Sequence, residues 1–507
     1  MEPEKWRLLQ CASIAATVLI AVALDLYVNS KDRTFIYQLR RLLNWLTAGA
    51  TYTVFYMARY AIVIINTESG RSALGTTPSG YGALLTCGFW SYAVGTVLGG
   101  GVVDRIGGRQ SLLVGAIGCC ACCTAAGALL LLRPNYWALL LLNTCNLACA
   151  TLAALSVIRI NVDWYTKVER GAFSGIFGIM ISTGYFVALG LGGWILAAHG
   201  PAASFLAPAA ALAAAVPLVA CVIADRPQDV RCVTLVTTES AASNTLKQHV
   251  NGPSEVVPYG RAVAKLVSDP VIRAAMLGLF GTGWVREGFL SWFGSYLQDE
   301  AGIEVGSAGH SAAAMAITLG GMFGSLTVGI VSDRCCDSRR APVVLACTLS
   351  QAAMLLIFPA VVRAAAAAGG AAGAAPAAIL LCGALSAPLF GALTLLMAAV
   401  SVELVEPSMS GTASGLLNGA QYIGSGISTL VGGAAVEWYG WNALFGSLTL
   451  GAGMSTAGIA RVVWLQAAQR RKVLSRTRLS TDAAVELEKQ PMVMDSDGVH
   501  AQARDPR

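Results

Sequence analysis

Two arginines inside apolar stretches are the residues of this chain most able to bind a charged solute. Arg59 lies within residues 47–65 and Arg286 within residues 274–297. A guanidinium near the middle of a membrane helix costs about 2.5–3.5 kcal/mol on insertion scales, so it is normally kept for binding an ion or a polar solute. An Asp-Arg dipeptide follows each arginine, 45 residues on at Asp104 and 47 residues on at Asp333. This repetition predicts one anion held between two duplicated domains.

The composition indicates that the segments holding these arginines lie in a membrane. Hydrophobic residues make up 55% of the 507-residue chain and charged residues only 12%, whereas a soluble domain has about 25% charged residues. Windows of about 20 apolar residues, enough to cross ~30 Å of hydrocarbon, predict an all-α protein with two bundles of six helices. The windows lie near residues 43–65, 82–103, 111–132, 136–158, 172–197, 202–224, 270–297, 307–331, 342–363, 376–400, 411–435 and 441–465.

These windows divide the chain into five regions. Residues 1–40 hold a further apolar window at 8–28, which we interpret as a retained extra transmembrane helix, with a targeting or interfacial segment as the alternative. Residues 41–224 and 270–469 are predicted to form the two six-helix bundles. Between them, residues 225–269 have the composition of a solvated linker, and residues 470–507 are predicted to be a disordered tail.

Basic residues gather at those ends of the predicted helices that face one side of the membrane, for example at Arg105, Arg334 and Arg470. By the positive-inside rule, the central loop and the tail are then cytosolic, and we favour the plasma membrane over an organelle membrane. Since the net charge of +6 comes from these clusters, it does not indicate a nucleic-acid partner. We expect a monomer whose partners are the lipid bilayer and a small anionic solute.

Residue types that often ligate metals or act as nucleophiles show no catalytic pattern. Many of the 14 cysteines, including the run CCACC at 119–123, fall in apolar windows, where cysteine acts as a small hydrophobe. The four histidines have no ligand partner at metal spacing, and no Walker phosphate loop is present. We therefore expect neither a metal, nor a cofactor, nor enzymatic activity.

The segment GGGVVDRIGGRQ (99–110) joins the second and third windows and resembles the loop motif of the major facilitator superfamily. A second copy, GIVSDRCCDSRR (329–340), stands at the equivalent place in the other half. The resemblance implies a conformational switch, because a carboxylate and a guanidinium at a helix end can pair with a neighbouring helix in one state and release it in another. The matching residues are Gly100, Asp104, Arg105, Gly107 and Arg109 in the first copy and Gly329, Asp333, Arg334 and Arg340 in the second.

Five further segments resemble the organophosphate:phosphate antiporter family, which includes glycerol-3-phosphate and hexose-phosphate exchangers. They are residues 52–60, 91–105, 159–171, 284–297 and 411–426. In that family, one arginine of the first helix and one of the seventh grip the phosphate, and Arg59 and Arg286 match those positions. By the same resemblance, the substrate site would also include Tyr52, Tyr56, Tyr92 and Trp292.

The chain departs from this family at positions that often carry other basic or polar groups. Thr96 and Ile181 stand where the family often has a lysine and a histidine, and Tyr60 and Ala61 replace a lysine and an asparagine. Two guanidinium forks still suit a tetrahedral phosphate, but a carboxylate or a monoanionic phosphate ester fits what remains about as well. The sequence therefore leaves the substrate open.

Glu287 follows Arg286 directly and admits two interpretations. It is either a proton-titrating group or the partner of an arginine in an ion pair between helices, and we favour the ion pair. Successive residues lie about 100° apart around a helix, so we expect that Arg286 and Glu287 do not both point straight at the cavity.

Together these features predict a carrier with the major-facilitator fold, working by alternating access between two bundles related by a pseudo-twofold axis. The predicted solute is a small organic anion, in the first place a phosphorylated metabolite exchanged for inorganic phosphate. Two alternatives stay open. One is a proton-coupled symporter of carboxylates with Glu287 as the titrating group, and the other is a non-transporting membrane sensor of the same fold.

Overall fold

Every regular element in the described part of the chain is helical, which confirms the all-α prediction. The computed structural model describes residues 12, 15, 16, 18–26, 35–162, 164, 165, 170–230, 259–335, 340–403 and 409–489. We number the helices α1 (18–26), α2 (Phe35–Ile64), α3 (Glu68–Ala73), α4 (Pro78–Ile106), α5 (Gly108–Leu132), α6 (Tyr136–Val162), α7 (Arg170–Phe186), α8 (Gly192–Val222), α9 (Tyr259–Ser268), α10 (Pro270–Ala301), α11 (Ala308–Cys335), α12 (Arg340–Glu403), α13 (Ser410–Tyr439) and α14 (Trp441–Lys489). A π turn, Val187–Leu191, joins α7 to α8, and a 3₁₀ turn spans Pro227–Val230.

Two glycines divide the longest helical runs into separate spans. Gly200 interrupts α8 with φ 81°, and Gly370 interrupts α12 with φ 59°. Such positive φ angles are readily accessible only to glycine, and Pro201 then begins the next helix, where a proline costs no hydrogen bond. The two breaks leave long helical segments at each of the twelve predicted windows.

Three helices differ from the others in hydropathy. Within the described residues, eight helical stretches are long and apolar enough to cross a membrane, one of them running through the break at Gly200. They do not include α2, α10 and α13, although these helices are 30, 32 and 30 residues long. These three carry Arg59, Arg286 and Tyr422, so polar side chains concentrate on the helices that form the central site described below.

Hydrogen bonds join the two halves at one end of the bundle. We call the end with Arg105 and Arg334 the basic end, and the end with α3 the opposite end. At the opposite end, the Asn66 amide donates to the carbonyl oxygen of Ser291 at 3.0 Å, and Arg71 donates to the hydroxyl of Ser295 at 3.2 Å. Along the same face, α4 packs on α13, and Thr86 Oγ1 donates to the carbonyl oxygen of Gly426 at 2.8 Å. The first and second halves are therefore in direct contact here.

The N-terminal helix α1 ends in a buried ion pair with α2. Asp25 Oδ1 lies 2.6 Å from Arg41 Nη2 and accepts the Tyr165 hydroxyl at 2.9 Å, and both charged side chains are fully buried. The described end of this helix is thus fixed at the basic end of the first bundle. Nine of the 21 residues from 8 to 28 lie outside the described residues, so a membrane crossing there stays a prediction.

The polar regions contain more helix than their composition suggested. The tail was expected to be disordered from residue 470, but α14 continues to Lys489, a stretch rich in the helix formers Ala, Leu, Glu and Arg. The central linker includes α9, and its Ala262 and Leu266 are buried against the second bundle. Residues 231–258 and 490–507 of these predicted regions lie outside the described residues.

Close helix packing gives a testable consequence at Gly424 of α13. A Cβ there would overlap the carbonyl oxygen of Phe280 on α10, whereas a Cβ at Gly446 of α14 would meet nothing within 4 Å. We expect Gly424→Ala to lower the stability of the purified protein by about 1–3 kcal/mol, as overpacking does, and Gly446→Ala to leave it unchanged or slightly raised. Thermal unfolding in detergent measures both, and equal midpoints for the two variants would contradict this packing.

Candidate functional site

Arg59 and Arg286 come from opposite halves and meet at one carboxylate oxygen in the centre of the bundle. Arg59 Nη2 donates to Glu287 Oε1 at 3.0 Å. Arg286 Nη2 lies 2.8 Å from the same oxygen, an ion pair without hydrogen-bond geometry. Both arginines are 5% exposed and Glu287 is fully buried. The two helices α2 and α10 therefore bring both predicted arginines to one place.

Glu287 forms the ion pair between helices that the sequence favours, with Arg59 of the first half. It also lies against Arg286, which precedes it on α10. Its other oxygen, Oε2, accepts the Tyr60 hydroxyl at 2.8 Å. Although Arg286 and Glu287 lie about 100° apart around the helix, the long arginine side chain turns back toward the next residue, so the two charged groups meet. With two guanidinium groups and one carboxylate, these three residues carry a net charge of +1.

Aromatic rings surround the two guanidinium groups. The Arg59 guanidinium carbon lies 4.6 Å from the ring centre of Tyr92 and 5.0 Å from that of Tyr422. Arg59 Nη1 also donates to the Tyr422 hydroxyl at 3.1 Å, and Arg286 lies 5.4 Å from the same ring. Such cation–π contacts contribute about 2 kcal/mol or more when desolvated. They hold the arginines in place without neutralising their charge.

Three tyrosines of α2 form a column that runs from the arginines toward the basic end. Tyr52, Tyr56 and Tyr60 are spaced four residues apart and so share one face of the helix. Tyr56 stacks on Tyr60 with ring centres 6.1 Å apart, and Tyr52 meets Tyr56 edge-on at 5.3 Å. Tyr185 of α7 closes the column, 4.9 Å from Tyr56. The column gives the site phenol groups on the side of the first bundle.

Several buried donors at this site have no hydrogen-bond acceptor among the described residues. They are Arg59 Nε and Arg286 Nε and Nη2, the last of which lies 2.8 Å from Glu287 Oε1 without forming a hydrogen bond. An unsatisfied buried donor costs about 1–3 kcal/mol, and more when it is charged. The acceptor oxygens of a solute would satisfy these donors. No group of three or more His, Cys, Asp or Glu residues within the described part could hold a metal ion.

Trp292 does not lie with the other predicted site residues. Its indole is fully buried, and a Cβ on Gly432 of α13 would come within 2.9 Å of Trp292 Nε1. Trp292 follows Arg286 by six residues, which places it about 240° around the helix. It therefore packs between α10 and α13, and we leave it out of the proposed site.

The loop-motif residues lie at the basic end, far along the helices from the arginines. The side chains of Asp104 and Asp333 are outside the described residues, Arg105 and Arg334 are exposed, and Arg340 begins α12. Gly100 has open space where a Cβ would stand. The switch role of these residues stays a prediction.

Arg109 ties two helices of the first bundle together. Its backbone N–H donates to Asp225 Oδ1 at 2.7 Å, and its guanidinium donates to the carbonyl oxygen of Ala220. This contact fastens the start of α5 to the end of α8 within one half. For Arg109 the structure thus gives an anchoring contact inside a bundle.

Tyr185 also belongs to this cluster, although the sequence motifs do not include it. Its hydroxyl lies 3.4 Å from that of Tyr60, and its ring lies 5.3 Å from Phe390 of the second half. A signal was available, because Tyr185 follows Ile181 by one helical turn, and Ile181 occupies the place of the family's histidine. The face of α7 that carries Ile181 therefore reaches the site at Tyr185, one helical turn later.

Comparisons with known proteins agree with the motif-based resemblance. The model of the Major Facilitator Superfamily matches residues 45–388. The chain is 23% identical over 409 residues to the glucose-6-phosphate exchanger SLC37A2 of Danio rerio, covering 76% of this chain and 79% of that protein. It is 24% identical over 435 residues to the membrane sensor protein UhpC of Salmonella typhimurium, covering 84% and 91%.

The fold is also found among solved structures. A bacterial homolog of the human lysosomal transporter Spinster, in an inward-facing and unoccupied conformation, superposes with a TM-score of 0.58 and 16% sequence identity. The match covers 87% of this chain and 96% of that one. At this identity the similarity concerns the fold.

Proposed function

Because the chain belongs to the major facilitator superfamily, we propose that it is a secondary active transporter of a small organic anion. The solute we propose is a phosphorylated metabolite, exchanged for inorganic phosphate by alternating access. The basic end would face the cytosol, following the positive-inside rule. The glucose-6-phosphate exchangers among its relatives support this substrate class.

One observation above all supports an anion site. Two buried guanidinium groups from opposite halves converge on a single point and keep unpaired donors there. A solute bound to both would pull the two bundles together, so binding and closure are coupled through the same contacts. Alternating access requires such a coupling, since the solute must favour the state in which both halves hold it.

The charge of the site favours exchange over net flux. Without a solute, the three central residues keep a net positive charge in a buried place, and moving a buried uncompensated charge between states is costly. A bound anion neutralises that charge and lets the loaded carrier reorient. An anion must therefore be present on each side in turn.

Two other functions remain in contention, each supported by a particular observation. Glu287 is a buried carboxylate at the site, which is what a proton-coupled symporter would use. The similarity to a protein named as a membrane sensor supports a receptor that binds the anion without moving it. These functions can be told apart, because a sensor would bind the anion without transporting it, and a symporter would accumulate the anion only when a proton gradient is present.

The proposed substrate class can be tested in proteoliposomes loaded with phosphate. Uptake of labelled phosphate is measured against a panel of unlabelled competitors, namely phosphate monoesters, carboxylates and neutral sugars. We expect phosphate monoesters to inhibit most strongly and neutral sugars to have no effect. Stronger inhibition by carboxylates would reassign the substrate class, and absence of any uptake by folded protein would favour the sensor.

A second prediction concerns Asp104 of the first loop motif. If this carboxylate biases the inward- and outward-facing states rather than touching the solute, Asp104→Asn should reduce turnover about tenfold, equivalent to ~1.4 kcal/mol, at nearly unchanged substrate affinity. Asp229→Asn, an exposed aspartate near the basic end, is the matched control and should transport normally. A large affinity loss at unchanged turnover would move Asp104 into the substrate site.

A further inference from the structure

Glu287 occupies a position that an anionic solute would also seek. Its Oε1 accepts from Arg59 and lies against Arg286, while its Oε2 accepts from Tyr60. It thereby joins the second half, on which it stands, to the first half through two contacts. The carboxylate acts as an internal anion held between the same two arginines.

This internal anion changes how much charge the site can accept. Two arginines alone would neutralise a dianion, but Glu287 leaves a net charge of +1 for the solute. A dianion bound here would leave a buried uncompensated negative charge, which costs several kcal/mol even after relaxation. A monoanion would leave the filled site neutral and free to reorient.

We infer that Glu287 makes this a site for monoanions, so that a phosphate ester is taken up in its singly protonated form. The inference rests on the proposed function. It adds that Glu287, a residue outside the family motif, selects the charge of the solute. The proton then travels on the solute, and the carboxylate keeps its ion pairs throughout. Exchange of two such monoanions moves no net charge.

The other groups that face Glu287 do not supply an alternative pH response. Arg59 and Arg286 remain charged at all ordinary pH values, and the neighbouring Tyr60, Tyr185 and Tyr422 bear phenols that are ordinarily neutral near pH 7. Tyr92, on the far side of Arg59, is a phenol as well. Between mildly acidic and mildly alkaline pH, a change in binding affinity can therefore come from two groups, the phosphate of the solute and the carboxylate of Glu287. The experiment must distinguish them.

Methyl phosphate and methyl sulfate distinguish these two groups. They have nearly the same shape, but the sulfate ester is always a monoanion, whereas the phosphate ester loses its second proton near pH ~6. Binding of each to the purified full-length protein is measured by calorimetry below and above that pH. For the wild type, we expect methyl sulfate affinity to be constant and methyl phosphate affinity to fall about tenfold per pH unit above ~6, following its monoanion fraction.

In Glu287→Gln, two uncompensated arginines should accept the dianion, and the fall in methyl phosphate affinity with pH should disappear. In the wild type, methyl phosphate affinity that is constant or rises with pH would overturn the inference. Methyl sulfate affinity that changes with pH would also overturn it, because Glu287 itself would then be titrating. The wild-type profiles decide the matter even if the variant does not fold. Binding of neither ester by folded wild type would instead overturn the proposed anion site itself.

Discussion

Replacing either central arginine by lysine is expected to reduce anion uptake by a factor of about 30 or more. Lysine keeps the charge, but it lacks the planar fork that holds an oxyanion by two parallel hydrogen bonds. At Arg59 it would also lose the geometry that engages Glu287 and the Tyr422 hydroxyl together. A hydrogen bond to a charged group contributes about 1.5–3 kcal/mol, so losing one or two such bonds corresponds to a factor of about 30 or more.

Arg273→Lys provides the control for these two variants. Arg273 stands on the same helix as Arg286 but is exposed near the basic end. We expect its uptake and expression to match the wild type, and the Arg59→Lys and Arg286→Lys proteins to be made in normal amounts with little uptake. Flux through proteoliposomes at matched protein density measures the difference. Normal transport by Arg59→Lys or Arg286→Lys would remove that arginine from the site.

The second large effect concerns the need for an anion on the far side of the membrane. Because the empty site keeps a buried positive charge, we expect uptake into vesicles without internal anion to be at least about tenfold slower than into phosphate-loaded vesicles, a difference of ~1.4 kcal/mol in the reorientation barrier. An imposed pH gradient should produce little accumulation by itself. The measurement is the initial uptake rate with and without internal phosphate.

Glu287→Gln separates exchange from proton symport in the same assay. If Glu287 is an internal counter-anion, internal phosphate should restore flux in the wild type and in the variant alike. Strong accumulation driven by a proton gradient in anion-free vesicles, lost in Glu287→Gln, would instead favour the symporter.

The parts of this molecule that follow from chain periodicity could be predicted from the sequence. Apolar windows of membrane length identified the spanning helices, and the costly burial of Arg59 and Arg286 marked them as a pair before any helix packing was known. The helices that carry the two arginines, α2 and α10, are not among the eight most apolar stretches of the described residues, so the buried charges mark them out from the other spanning windows.

Contacts that depend on the reach of a side chain or on the rotation of a helix could not be predicted from the sequence. Glu287 reaches both arginines because α2 approaches α10 from the other half, which spacing along one helix cannot show. Trp292 matched a family motif, yet helix rotation carries it to a different face, against Gly432. Tyr185 carries no charge, so only its spacing from Ile181 pointed to the cluster, and its contact with the Tyr60 hydroxyl depends on how α7 packs against α2.

Exchange of phosphate for phosphate tests the central claim most directly, since it asks whether this chain moves an anion at all. Vesicles containing the purified protein are preloaded with labelled phosphate, and its release is followed after unlabelled phosphate is added outside. We predict that external phosphate accelerates the release from wild-type vesicles and has no such effect on protein-free vesicles or on the Arg59→Lys, Arg286→Lys double variant. Release from wild-type vesicles that is unchanged by external phosphate would contradict an anion exchanger built on these two arginines.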